Sequence, residues 1–82
     1  MADLKIRIYK GNDKQPETTI TIPGTVLTVA SKLIPKQAAQ ALQEKGIALD
    51  EIIRLAKNPD AHGTLVVIED HKKNERVVIA LE

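Results

Sequence analysis

Glu69, Asp70 and His71 stand side by side and are followed by Lys72, Lys73 and Asn74, so two carboxylates, an imidazole and two ammonium groups fall within one short stretch. A divalent ion held there would need ligands converging from several elements, with further groups orienting the imidazole, whereas consecutive side chains splay apart. An ion could also take His71 together with His62 and Asp60 if folding joined their loops, but that spacing specifies nothing. The expected reading is the solvated end of a hairpin. Nucleophilic catalysis has equally little to work with: Ser31 is the sole serine, on the polar side of an amphipathic segment, with no histidine nearby and no strained elbow to present it. Gly24 and Gly63 are isolated turn glycines and build no phosphate cradle, and no pair of acids lies in an evident apolar pocket. The sequence therefore points to a non-enzymatic chain with no catalytic residues, no metal and no cofactor.

Composition narrows the partners. With 82 residues, 43% hydrophobic and 28% charged, the chain reads as one ordered domain, residues 1–82, close to the smallest size at which burial outweighs chain entropy. Tyr9 is its single aromatic residue, which excludes platforms for stacking bases or sugars. Cysteine is absent, so neither disulfides nor thiolate metal sites form, and a reducing compartment such as the cytoplasm fits. Neither a signal peptide nor a membrane-spanning run is evident. A formal net charge of +1 is too small to argue for nucleic acid or an acidic membrane. No small-molecule substrate is evident.

The elements follow from periodicity. Leu4, Ile6 and Ile8 alternate with Lys5, Arg7 and Tyr9, the pattern of a half-buried strand, and "GNDKQPE" supplies the turn to a second strand, "TTITI", with Ile20 and Ile22 inward. From Val26 the period becomes helical: Val26, Leu27, Val29, Ala30, Leu33 and Ile34 share one broad inward stripe. Pro35 is expected to open a second helix or to kink the first. Ala38, Ala41 and Leu42 form that second helix's apolar side, Gly46 ends it in the left-handed conformation, and Ile47 folds back on it. Asp50 is expected to cap a third helix, with Ile52, Ile53, Leu55 and Ala56 inward. "TLVVIE" and "ERVVIAL" then close the chain as a hairpin. The predicted class is α+β, ββαααββ: two β-hairpins in a four-stranded antiparallel sheet, with two or three short helices on one face.

The second hairpin is apolar on both alternations. Leu65 and Val67 are expected to side with Val77, Ile79 and Leu81, leaving Val66, Ile68 and Val78 on the other face. Three short helices can cover only one face, so a homodimer or a protein partner is expected to meet this hairpin, with Leu65, Val66, Val67, Ile68, Val77, Val78 and Ile79 as the candidate interface. On that reading a lysine at Val66 or Ile68 dissolves the interface and spares the fold.

The alternative is nucleic-acid binding. Residues 38–58 have the helix, glycine turn and helix of a helix-turn-helix, but Leu42 and Lys45 depart from its pattern. Asp50 and Glu51 would also face phosphates with the wrong charge. Lys5, Arg7, Lys10 and Lys14 form a modest basic stripe, of the kind sheet surfaces carry routinely.

The stretches "TITIP", "KLIPKQAAQALQEKGIALDEII", "GTLVVIED" and "ERVVIALE" together resemble a small bacterial domain found beside SHOCT-like proteins of envelope-stress operons. The resemblance covers most of residues 4–82 and rests on caps, turns and strand ends. It implies fold and bacterial origin, and brings no catalytic residues. Gly24 departs from it, standing where an apolar residue is expected after Pro23.

Overall fold

The computed structural model describes residues 3–82 apart from the side chain of Ser31, so the reading of that serine as a surface residue lies outside the described residues. Among them, β1 (Leu4–Lys10), β2 (Thr18–Ile22), β3 (Gly63–Asp70) and β4 (Glu75–Leu81) form one antiparallel sheet in the order β2-β1-β4-β3. The first and last strands are thus the central pair, with Ile6 opposite both Ile20 and Ile79. These strands carry the most deeply buried alternations: Leu4, Ile6 and Ile79 are fully buried and Leu81 nearly so. Placing them at the centre shelters the largest side chains from water on both flanks.

The helices lie on the face bearing these residues. A 3-10 segment, Gly24–Val29, runs into the short helix α1 (Ala30–Leu33), followed by α2 (Lys36–Glu44) and α3 (Leu49–Lys57). Leu27, Ala30, Ile34, Ala38, Ala41, Leu42, Ile52 and Ala56 meet the strand isoleucines and leucines in one core. Ala38 is fully buried and Ala41 almost so, and having no side chain beyond Cβ they let α2 lie close to its neighbours. α2 ends as its sequence suggests. Gly46 has φ +72°, its N–H reaches the Gln43 carbonyl at 3.0 Å, and the Ile47 N–H reaches that of Leu42 at 2.9 Å, the paired bonds of a Schellman cap.

The predicted class and order hold, and three local expectations change. Only Leu27, Ala30 and Ile34 of the first helical stripe are buried, while Val26, Val29 and Leu33 are exposed. Within the 3-10 segment, steps of about 120° per residue put Leu27 in line with Ala30 and leave Val26 and Val29 off that line; beyond it, the α-helical turn brings Ile34, four residues after Ala30, to the core side, and a non-helical Val26 also interrupts the run. Pro35 stands before α2 in an extended conformation (ψ 151°) and its carbonyl accepts the Ala39 N–H at 3.0 Å. The cap position of α3 belongs to Ala48, without a side-chain bond, and Asp50 lies in the first turn with Glu51, where both still favour the helix dipole.

The fourth correction concerns the second hairpin. The β3–β4 register shifts between Thr64 and Val66, so Leu65 is an extra residue in the ladder. Beyond that bulge Val66 pairs with Ile79 and Ile68 with Val77, while Val67 pairs with Val78. One inserted residue exchanges the two faces of everything after it. Ile68, Val77 and Ile79 consequently belong to this chain's own core, at 3%, 4% and 0% exposure, and offer no surface to a partner.

Candidate association surface

The sheet's outer face is a grid read from its registers. One row runs Thr21, Lys5, Ala80, Thr64; the next Thr19, Arg7, Val78, Val67; and Tyr9, Arg76 and Glu69 share a third. Its charges are largely matched within the chain. Arg7 and Glu82 form an ion pair, the Arg76 guanidinium stacks on the Tyr9 ring at 4.3 Å, and the register sets Glu69 opposite Arg76. The basic stripe seen in the sequence therefore carries less free positive charge than its composition implies. Lys10 lies 3.9 Å from Glu17, again within the chain.

The Arg7 hydrogen bond holds the Glu82 carboxyl below the usual carboxylate range, and the same bond raises Arg7. A carboxyl depressed on folding stabilises the native state above its unfolded pKa, and that contribution disappears as pH falls through the folded value. Glu82→Gln should therefore lower the urea midpoint slightly at neutral pH, with the two curves converging in acid; a gap that persists below the carboxylate range would contradict this pairing.

The cluster at 69–74 is engaged in building its turn. Asp70 Oδ1 accepts the N–H groups of Lys72 (3.1 Å) and Lys73 (3.2 Å), and Asn74 takes the left-handed conformation at φ 53°. The Asn74 carbonyl accepts the Gly11 N–H at 2.7 Å, tying this loop to the β1–β2 turn. A Cβ on Gly11 would come within 3.3 Å of Asn74 Nδ2, so glycine suits that contact twice over. His71 and His62 flank the eight residues of β3 at opposite ends, about 30 Å apart at ~3.3 Å per residue. The Asp60, His62 and His71 grouping is therefore not assembled, and among the described residues no three metal-ligating side chains gather. The 38–58 segment lies under the sheet, with its buried Ala38, Ala41, Leu42, Ile52 and Ala56 facing the core. The outer side of α3 shows Asp50, Glu51, Arg54, Leu55 and Lys57.

Of the sheet's two edge strands, β2 has only five residues and is followed by Pro23, so the longer open edge is β3. Among the described residues it pairs with β4 alone, so its other edge has no strand beside it. Such an edge presents backbone donors and acceptors ready to pair. Val67 is 51% exposed on its outer face, Val78 is half-buried beside it, and Leu65 and Val66 are half-buried. An open groove flanks the strand, between it and the α2–α3 turn, lined by Lys45, Ile47, Val67, Ile68, Glu69 and His71. Of the residues singled out from sequence, Leu65, Val66, Val67 and Val78 thus remain accessible in some measure. Sequence reasoning missed the exposure of Val29, Leu33 and Leu55, at 43%, 48% and 47%, because each falls within an apolar helical pattern. Among the described residues no helix is long and apolar enough to cross a membrane.

Comparison with curated proteins and with solved structures gives no match. Residues 3–80, nearly the whole chain, match one family, and the chain accordingly belongs to the family described as YvlB-like protein, C-terminal domain.

Proposed function

We propose that this domain is a non-enzymatic association module, acting by self-association or by binding another protein through the second hairpin. The free edge of β3 carries the reading, because it combines an unpaired backbone, an exposed valine and a flanking groove. A strand laid along it gains main-chain hydrogen bonds from the edge and side-chain contacts from Val67 and Ile47. Edge strands that must stay single are usually short, proline-bearing, bulged or charged along their length; β3 has eight residues, no proline and its two acids only at the end, and its one bulge, at Leu65, leaves residues 66–70 regular. A cytoplasmic setting, and companionship with SHOCT-like proteins, belong to the same proposal.

A photoreactive amino acid placed at Val67 in the chain expressed in bacterial cells tests it, with Lys57 on α3 as the control position. Illumination should give an adduct from position 67 and none from 57. No adduct from 67, or equal labelling from both, would remove the reading, and the adduct's mass distinguishes a second copy from another protein.

A further inference from the structure

Resting on that reading, we infer that the occupant of the β3 edge is a second copy of this chain, paired antiparallel about a two-fold axis that passes through Val67. The argument is one of register. Glu69 and Asp70 close the strand, whereas Gly63 and Thr64 open it without charge. Parallel pairing would set the acids of both copies side by side, and like charges directly opposed weaken a sheet. Antiparallel pairing sends them to opposite ends.

Antiparallel neighbours that face each other point to the same side of the sheet, so an outward residue must meet an outward residue. Val67 and Glu69 point outward with Val78 and Arg76, while Val66 and Ile68 point inward with Ile79 and Val77. Centring the axis on Glu69 would set that carboxylate against its own copy, which leaves two registers that satisfy this with at least three pairs inside the regular stretch 66–70. Centring the axis on Ile68 opposes Val67 to Glu69 and Val66 to Asp70, apolar against charged in every flanking pair. Centring it on Val67 opposes Val67 to the partner's Val67 on the outer face and sets Val66 level with the partner's Ile68, so no charged residue stands in any of these pairs.

The second register also extends an apolar row across the junction. Val78 lies beside Val67 within one hairpin, and the two-fold continues this into the partner's Val67 and the partner's Val78. The bulge at Leu65 ends the regular pairing, which confines the contact to the stretch around the axis and leaves Glu69 beside Arg76 of its own chain. The assembly is a continuous eight-stranded sheet, twice the four strands of one chain, with both helical layers on the same side.

A position on a two-fold axis meets itself, which gives a test that other surfaces cannot imitate. Sedimentation equilibrium of the wild type over a micromolar to millimolar series should show a monomer–dimer equilibrium. Val67→Lys and Val67→Glu should each weaken self-association by about tenfold or more, since each opposes like charges at the axis. An equimolar mixture of the two variants should recover dimers, as mixed pairs. Circular dichroism should show both variants folded, because the side chain at 67 is half outside the protein. Failure of the mixture to recover would place Val67 off the axis and overturn the register. A wild type that stays monomeric throughout would overturn the second copy as occupant, while a position-67 adduct with a different protein would leave association at this edge standing.

Discussion

Ile68→Lys should abolish the folded state or come close to it. The side chain is 3% exposed, beneath the sheet and opposite Val77. An ammonium there loses its hydration with no carboxylate in the core to compensate, since among the described residues no charged side chain is buried. The short way out to water leads into the groove that Lys45 also lines, so a stretched lysine would arrive beside another positive charge. A loss of about 4 kcal/mol or more is expected, against a total of roughly 4–12 kcal/mol for a domain of this size. Thermal unfolding followed by circular dichroism should show no cooperative transition, or one lowered by on the order of 20 °C. Val67→Lys, one residue away, should move the transition of the monomer by no more than about 0.5 kcal/mol. Equal effects at 67 and 68 would mean that the strand's faces are not as the bulge sets them.

Ile6→Ala should be the most costly truncation in the sheet. Ile6 is fully buried on a central strand, opposed by Ile20 on one side and Ile79 on the other. Removing three carbons leaves a void that the paired backbones on either flank keep from closing, and losses at such sites run to about 2–5 kcal/mol. Urea unfolding should report this as a lower midpoint with an unchanged slope. Ile20→Ala, at the partly exposed edge strand, should cost less, because the neighbouring side chains can relax and water already reaches the site. A loss below about 1 kcal/mol at Ile6 would contradict its place at the centre of the core.

Much of the architecture was legible in the residues because it depends on local periods. Strict alternation in β1 separates Leu4, Ile6 and Ile8 from Lys5, Arg7 and Tyr9, and the structure buries the first set and leaves the second partly open. The Gly46 cap was legible for a similar reason: a left-handed turn after a helix has few residues that suit it. The first helical segment was less so, because its apolar residues fit a 3.6 period and a 3-10 step equally well, and only packing against the core selects Leu27, Ala30 and Ile34.

By itself the sequence determined the class, the order of elements, a composition with no thiol and Tyr9 as the one aromatic ring, and the apolar character of the second hairpin on both alternations. Tertiary structure alone decided which alternation is the core. The middle of "TLVVIE" is uniformly apolar and its polar ends, Thr64 and Glu69, fall on opposite alternations, so the segment does not say which alternation faces out and sliding it by one position costs little locally. Pairing with β4 settles the matter by making Leu65 the bulge, which turns Ile68 into the core and leaves Val67 at the surface. Strand order is likewise a tertiary decision: burying both β1 and β4 at the centre puts β3 at the edge, and an edge is a relation between strands that no single segment can encode.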